Sequence, residues 1–238
     1  MDKKVTVIPS SQGCLGKNVG CEDGGKAVCE MAGVDYKIAK VSDSDFGETT
    51  KMISELSGEI FIGGDHSITY GLFKKSGADS LIIFDAHADC VNNFSPPTHE
   101  DFVRVLVEEG YVKAENIFII GLRNVDPIEK EYLKEKKIKH HYWGEVGCEL
   151  HTVIKDFLKD KKKVYLSVDI DALDGDKYVG TGYPEKEGFN LDQLKEFVKN
   201  VLRSEKVVRS DLVEINPSKD MNGETVRAGG ELLKVMVG

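Results

Sequence analysis

Short apolar runs alternate with segments of helical spacing along the whole chain, and this alternation limits the fold more than any other feature. Strands are predicted at Val5–Ile8, Tyr36–Ala39, Ile60–Ile62, Leu81–Phe84, Ile117–Ile120, Val164–Val168 and Val207–Ile215. Helices are predicted over 26–32, 50–56, 67–75, 99–109, 127–136, 145–159, 191–202 and 224–235. Such alternation is typical of a parallel sheet covered by helices on both faces. We therefore expect a three-layer α/β/α fold with a central, mostly parallel sheet.

The chain's length and composition suit one domain. Its 238 residues are 40% hydrophobic and 31% charged, which provides enough apolar side chains for a sizeable core. No internal repeat, low-complexity tract or linker divides the sequence. We expect residues 1–238 to form a single domain.

Charge and cysteine usage exclude several classes of partner. The net charge is −9 and no basic stripe appears, so nucleic acid is not an expected partner. No apolar run approaches the ~20 residues that span a bilayer, and the apolar start at Val5–Ile8 is too short for a signal-peptide core. The five cysteines are odd in number and form no CxxC pair, which predicts reduced thiols and a cytoplasmic location.

The segment DAHAD (85–89) directly follows the apolar strand Leu81–Phe84. In extended backbone, side chains at every second position point to the same side. Asp85, His87 and Asp89 are therefore expected to converge, and two carboxylates at one strand end favour a cation between them. The alternative is a solvated acidic loop with an incidental histidine.

Three other predicted strands end in polar residues. The segments are GGDHS (63–67), SVDIDALD (167–174) and DLVEINP (211–217). In open parallel sheets, ligands bind outside the carboxyl ends of the strands. Taken singly, His66 fits a helix cap, Asp169 and Asp171 fit an acidic turn, and Glu214 between apolar neighbours needs a partner. Taken together, they predict one site at this edge of the sheet.

The strand ends supply more ligands than one ion needs. A zinc ion takes four ligands, whereas carboxylate-rich sites with some imidazole suit harder ions such as Mn²⁺. Six ligands fit two ions that share a bridge, an arrangement that generates hydroxide at neutral pH. We expect two Mn²⁺ ions per chain. The predicted ligands are His66, Asp85, His87, Asp89, Asp169 and Asp171.

These motifs resemble those of the ureohydrolases, the family of arginase, agmatinase, formiminoglutamase and their relatives. The resemblance rests on GGDHS, DAHAD, SVDIDALD and EINP (214–217), with GTGYP (180–184) and the arginase-like GLRNVDP (121–127) as further support. It covers about residues 60–217 and implies the arginase-like fold. It also implies how the ligands divide between the ions: one bound by His66, Asp85, Asp89 and Asp169, the other by Asp85, His87, Asp169 and Asp171.

The same resemblance implies a reaction. A hydroxide bridging the two ions attacks the carbon of a small cationic guanidino substrate, and urea and an amine are released. Glu214 would pair with the guanidinium, and Asp89 would carry the proton to the leaving amine. His99, in the segment PPTHE (96–100), stands where the family has a histidine proposed as proton shuttle. The alternative for His99 is a surface histidine at a helix start.

The substrate is left open at this stage. Arginases use a loop after the second metal motif to contact the α-carboxylate, and only Asn92 and Asn93 are available here as substitutes. Asp126 matches a position that arginases use toward the α-amino group, although it also fits the N-cap of a helix that begins at Pro127. Arginine, agmatine and a less usual guanidine or amidine all remain candidates.

Three alternative functions compete with guanidine hydrolysis. One is a formiminoglutamase-like amidine hydrolase. A deacetylase of related fold would use a zinc site, and the complete two-ion ligand set argues against it. A non-catalytic ligand-binding member of the fold is disfavoured by the intact ligands and Glu214. The resemblance also implies a homo-oligomer, either a trimer or a hexamer.

Overall fold

The computed structural model describes residues 4–145, 147 and 149–238. Within these residues, eight strands form one sheet in the order β2-β1-β3-β8-β7-β4-β5-β6, and every neighbouring pair is parallel. The strands are β1 (Val5–Val7), β2 (Tyr36–Ile38), β3 (Ile60–Ile62), β4 (Ser80–Phe84), β5 (Ile117–Leu122), β6 (Lys139–Tyr142), β7 (Val164–Asp169) and β8 (Val207–Val213).

Helices cover both faces of the sheet. They are α1 (Gly24–Ala32), α2 (Phe46–Ser54), α3 (Ile68–Lys74), α4 (Phe102–Glu108), α5 (Pro127–Lys136), α6 (Leu150–Leu158), α7 (Leu191–Leu202) and α8 (Glu224–Val237). Helices α1, α6, α7 and α8 pack on one face, and α2 to α5 pack on the other. The expected three-layer α/β/α fold is confirmed. Among the described residues, no helix has the length and apolar character that a membrane crossing requires.

The core lies on both sides of the sheet, as strand β4 illustrates. Ile82 and Phe84 join the buried cluster beneath α1, α6, α7 and α8, whereas Leu81 and Ile83 join the cluster beneath α2 to α5. A strand buried on both faces has no polar side, which explains why its sequence is a continuous apolar run.

The order of the strands places the polar motifs together. Strands β3, β8, β7 and β4 are consecutive neighbours in the middle of the sheet. Because all of them are parallel, their carboxyl ends lie at one edge. The segments that follow these four strands carry His66, Glu214, Asp169 to Asp171, and DAHAD (85–89) respectively.

The structure differs from the sequence-based prediction in one additional strand and in several helix boundaries. Strand β6 was not predicted, because its sequence KHHY is polar and its residues are only half-buried at the sheet edge. The helix predicted over 145–159 begins at Leu150, and residues 146 and 148 of that segment lie outside the described residues. Cys148, predicted to be a reduced thiol, therefore lies outside them too. The four described cysteines are free and buried.

Candidate metal centre

His66 faces three carboxylates. Its Nδ1 atom lies 3.1 Å from Asp85 Oδ2, 3.1 Å from Asp89 Oδ2 and 3.2 Å from Asp169 Oδ2. The Nδ1 of His66 and the Oδ2 of Asp85 are both buried and have no hydrogen-bond partner. A buried nitrogen without a partner is costly, and a cation held between these four groups would satisfy all of them.

A second group forms around the same aspartate. His87 Nδ1 lies 3.0 Å from Asp171 Oδ2 and 3.5 Å from Asp85 Oδ1. Asp85 thus presents Oδ2 to the first group and Oδ1 to the second. Two sets of side chains place their ligand atoms within 4.8 Å of one another, and Asp85 belongs to both: His66, Asp85 and Asp89, and Asp85, His87 and Asp171.

The backbone brings the DAHAD side chains together by a turn. Strand β4 ends at Phe84, and residues 85–89 do not continue as extended backbone. Asp89 adopts a left-handed conformation with φ of 50°. The predicted convergence of Asp85, His87 and Asp89 is therefore reached through a bend instead of strand alternation. Ala86 and Ala88 are fully buried and pack away from the cavity.

Burial of so many like charges shifts their protonation. Burial and the charge of Asp85 raise the pKa of Asp89 to about 7. Burial and the neighbouring aspartates also raise the pKa of Asp169 and of Asp171. Burial also acts to raise the pKa of Asp85, but the contacts with His66 and His87 outweigh burial and lower this pKa. Divalent ions would neutralise this cluster, in which no described lysine or arginine forms an ion pair.

A buried network fixes the orientation of His66 from behind. Its Nε2 lies 2.8 Å from Ser167 Oγ, which donates to Asp211 Oδ1 at 2.6 Å. Thr69 Oγ1 and Tyr165 Oη donate to the other Asp211 oxygen at 2.7 and 2.5 Å. Because the Ser167 proton goes to Asp211, Ser167 accepts from His66 Nε2–H. Nε2 therefore carries a hydrogen, and Nδ1 is the nitrogen that faces the aspartates and would bind a cation.

Glu214 is held beside this cluster by three contacts. Its Oε1 accepts from the backbone amide of His66 at 2.7 Å and lies 3.2 Å from His99 Nδ1. Its Oε2 accepts from Asn18 Nδ2 at 2.6 Å. His99 is 5% exposed, so the alternative of a surface histidine is not what the structure shows. Sequence reasoning missed Asn18, whose only signal was its place in a Gly-rich loop.

The predicted ligands other than Asp85, together with Glu214 and His99, line one cavity of about 270 Å³. Tyr183 stands at its side, with its ring stacked on His99 at a centroid distance of 6.0 Å and edge-on to His87 at 5.7 Å. From the segment after DAHAD, Val91 lines the cavity, whereas Asn92 and Asn93 are not in its lining. The lining consists of His66, His87, Asp89, Val91, His99, Glu100, Asn124, Asp126, Glu129, Asp169, Asp171, Thr181, Tyr183 and Glu214.

Asp126, predicted as a substrate contact, has two roles in the structure. It lines the cavity, and it is the N-cap of α5, where it forms a capping box with Glu129. The backbone amide of Asp126 donates to Glu129 Oε2 at 3.0 Å. Asp126 remains exposed although it caps the helix.

The fold and the site define a class of protein: a three-layer α/β protein with aspartates and histidines grouped, as at metal centres, at the carboxyl edge of its sheet. The sequence matches the model of the Arginase family over residues 8–238. The chain belongs to the arginase family.

Individual relatives carry different names. The chain is 29% identical over 217 residues to an arginase from Bacillus subtilis, covering 80% of this chain and 72% of that protein. It is 29% identical over 183 residues to a guanidinopropionase from Pseudomonas aeruginosa, covering 72% and 57%. The crystal structure of formimidoylglutamase from Bacillus subtilis has the same fold, with a TM-score of 0.88, 22% identity, and coverage of 100% of this chain and 87% of that one.

Proposed function

We propose that this protein is a hydrolase that uses two Mn²⁺ ions to cleave a C–N bond of a guanidino compound, releasing urea and an amine. Relatives named arginase and guanidinopropionase support the substrate class. The observation that carries the proposal is the pair of buried atoms without hydrogen-bond partners, His66 Nδ1 and Asp85 Oδ2, which face each other among further carboxylates.

The donor set suits two ions that share ligands. His66, Asp85, Asp89 and Asp169 would hold one ion, and Asp85, His87, Asp169 and Asp171 would hold the other. Oxygen-rich sites with one imidazole per ion suit Mn²⁺ better than zinc. When bound, the ions lower the pKa of a water molecule and supply a nucleophile at neutral pH.

Glu214 is the proposed anchor for the guanidinium. It is buried, it lines the cavity beside the ligand cluster, and Asn18 and the His66 amide fix its orientation. A carboxylate and a guanidinium form strong charge-assisted hydrogen bonds. A fixed carboxylate would therefore hold the guanidinium carbon in one position beside the ligand cluster, which lowers the entropic cost of reaction.

Asp89 and His99 are the proposed proton carriers. Asp89 Oδ2 faces His66, so the other Asp89 oxygen would be left to take a proton and pass it on when a metal is bound. His99 Nε2 is buried without a hydrogen-bond partner, and His99 lines the cavity. We assign to His99 the transfer of a proton between the cavity and the leaving amine. Asn92 and Asn93 stay predicted substrate contacts, reached only if the loop after DAHAD moves.

We also propose that residues 1–238 act as a single domain in a cytoplasmic homo-oligomer. The four described cysteines are free and buried, which fits a reducing compartment. The resemblance to ureohydrolases favours a trimer or a hexamer, which light scattering of the purified protein would distinguish.

The direct test is an assay of the Mn²⁺-loaded protein. Urea release would be measured with arginine, agmatine, 4-guanidinobutyrate and 3-guanidinopropionate, and formamide release with formiminoglutamate. Urea from at least one guanidine is the expected result. Formamide release alone would favour the amidine hydrolase, and no turnover of any compound would favour the non-catalytic alternative.

Two variants separate metal binding from substrate binding. Asp169→Ala removes a carboxylate proposed to reach both ions, so we expect loss of activity together with a fall in bound Mn²⁺ measured by elemental analysis. Glu214→Gln removes the charge that pairs with guanidinium, so activity should fall by about 10²–10³-fold while metal content stays at two ions per chain. Asp156→Ala, an exposed aspartate on α6, is the control. Full metal in Asp169→Ala, or metal loss in Glu214→Gln, would contradict these assignments.

A further inference from the structure

The outer part of the cavity is negatively charged. Glu100, Asp126 and Glu129 line it together with Asn124 and Tyr183, and the described lining includes no lysine or arginine. Glu129 is occupied by the protein itself, because its two oxygens accept from the backbone amides of Cys90 and Asp126, each at 3.0 Å. Glu129 is buried, whereas Glu100 and Asp126 are the more exposed carboxylates of this lining.

The basic side chain beside Glu100 is a histidine and not a lysine or arginine. Among the described residues, no lysine or arginine nitrogen lies within 4.0 Å of Glu100 or Asp126. The side chain of Glu100 is 33% exposed, and the ring nitrogen His99 Nε2 lies 3.8 Å away. Asp126 is exposed at the first turn of α5.

Three side chains of this region donate hydrogen bonds to protein acceptors. Arg123 donates to the carbonyl oxygens of Gly121 and Asp171 at 3.0 and 2.5 Å, so its guanidinium is bound to backbone oxygens. Asn124 Nδ2 donates to Glu185 Oε1 at 2.8 Å. The Tyr183 hydroxyl donates to Glu100 Oε1 at 3.3 Å. These three side chains are engaged with protein acceptors, and a substrate carboxylate beside them would face Glu100 and Asp126.

Two atoms deeper in the cavity point to a ligand independently of the charges. Thr181 Oγ1 and His99 Nε2 belong to cavity-lining residues that are 1% and 5% exposed, and neither atom has a hydrogen-bond partner. Buried polar atoms of this kind are satisfied by a partner in nearly all proteins. They line the same cavity as Glu214 and Glu100. The occupant is therefore expected to extend between these two carboxylates.

We propose that the outer end of the cavity is a subsite for a cationic tail. The substrate is then a guanidine that carries a second positive charge, such as an aminoalkylguanidine, and no carboxylate. An ammonium tail is attracted by Glu100 and Asp126, whereas a carboxylate tail is repelled by both. This inference rests on the proposed guanidine hydrolysis and specifies the substrate of the same site.

Four probes of matched length and different tail charge test the subsite. They are agmatine with an ammonium tail, butylguanidine with a neutral tail, 4-guanidinobutyrate with a carboxylate tail, and arginine with both charges. We expect kcat/KM to be at least about tenfold higher for agmatine than for butylguanidine, and lower again for 4-guanidinobutyrate. Equal or faster turnover of arginine or 4-guanidinobutyrate than of agmatine would overturn the inference.

Two substitutions that remove a carboxylate charge but keep the side-chain shape test which residues form the subsite. In Glu100→Gln and in Asp126→Asn, the ratio of kcat/KM for agmatine to that for butylguanidine should fall by about tenfold, mainly through the KM of agmatine. Asparagine also caps helices, so Asp126→Asn retains α5. Glu196→Gln and Asp156→Asn, on the exposed surfaces of α7 and α6, are the matched controls. If the agmatine-to-butylguanidine ratio is unchanged in both Glu100→Gln and Asp126→Asn, the subsite is overturned.

A binding measurement separates this inference from the proposed function. If no guanidine is hydrolysed, the proposed function fails, and calorimetry with the Mn²⁺-loaded protein then compares 1,4-diaminobutane with 4-aminobutyrate. Tighter binding of the diamine supports the cationic subsite. Equal or tighter binding of 4-aminobutyrate, or no binding of the diamine, overturns it.

Discussion

At the scale of single residues, the groups around His99 determine its protonation state. Its Nδ1 lies 3.2 Å from Glu214 Oε1, and a carboxylate can only accept, so Nδ1 holds a hydrogen. Burial alone would lower the pKa of His99, but the hydrogen bond to Glu214 and the charges of Glu214, Asp65 and Asp89 together raise it to about 9. At neutral pH, His99 is therefore an acid whose Nε2–H faces the cavity.

This assignment predicts the alkaline limb of the pH profile. If protonated His99 gives its proton to the leaving amine, kcat/KM should fall as the pH rises through about 9, because the acid form is then lost. His99→Asn should lower kcat by about 10²–10⁴-fold and remove that limb, with Mn²⁺ content unchanged. The measurement is kcat/KM from pH 6 to 10 under argon. A variant that keeps both the rate and the alkaline limb would show that His99 is not the acid.

The residues that sequence analysis found and missed differ in the range of their contacts. Asp85, His87 and Asp89 are revealed by local spacing, and their side chains do lie together in the structure. Asn18 reaches Glu214 across 196 positions, and Ser167 reaches His66 across 101 positions. No local pattern records such pairs. For Ser167, the available signal is the acidic Asp211 in the otherwise apolar end of β8, a buried charge that requires partners.

At the scale of elements, the turn between β3 and α3 holds the site together. The carbonyl oxygen of Ser10 accepts from Asp65 N at 3.0 Å, and the carbonyl oxygen of Gly64 accepts from Glu214 N at 2.8 Å. The turn thereby ties the end of β1 to the end of β8. A Cβ atom on Gly64 would lie 1.6 Å from the Ser10 carbonyl oxygen, so only glycine permits this close approach.

Gly64→Ala should consequently damage both stability and the site. Because the obstructing atom is backbone, the turn must open, and we expect a loss of about 2–3 kcal/mol or more in the free energy of unfolding. Urea denaturation would measure it, and bound Mn²⁺ should fall as His66 and Glu214 separate. Gly144→Ala is the control, since an added Cβ there meets nothing within 4 Å. Equal stability of the two variants would contradict the tight contact at Gly64.

Local sequence patterns predict the limits of some helices and strands but not of others. Helix α7 and strand β3 have the predicted limits, because apolar spacing and Gly-rich or capping residues coincide at their ends. Helix α2 begins at Phe46 instead of residue 50, since Asp45 Oδ1 accepts from Glu48 N at 2.9 Å and starts the helix one turn earlier. This Asp-x-x-Glu signal is present in the sequence. Strand β6 has no such local signal. It becomes a strand through its pairing with β5.

At the scale of the whole molecule, the sheet gathers acidic side chains from distant parts of the chain. The order β3-β8-β7-β4 brings residues 66, 85–89, 169–171 and 214 to one edge. In the metal-free protein, folding therefore forces carboxylates together and out of water. Burial raises the pKa of Asp89 to about 7, and raises that of Asp169 and Asp171 as well.

The stability of the metal-free protein should therefore fall as the pH rises. A carboxyl group whose pKa is higher in the folded than in the unfolded state stabilises the fold fully below its unfolded pKa, and this contribution is lost as the pH passes its folded pKa. For Asp89 that window runs from about 4 to about 7. The raised pKa values of His66 and His87 act in the same direction, and the lowered pKa of Asp85 opposes them.

Bound Mn²⁺ should reverse this trend, because its ligands must be deprotonated. The increase in Tm on adding Mn²⁺ to chelator-treated protein should be small at pH 5.5 and grow to about 5–10 °C at pH 8, for a metal concentration ~100-fold above Kd. Thermal unfolding at both pH values, with and without Mn²⁺, measures it. Asp169→Ala should lose most of the increase, whereas the surface variant Asp156→Asn should retain it. An increase that shrinks with rising pH would mean that the clustered carboxylates do not bind the ions.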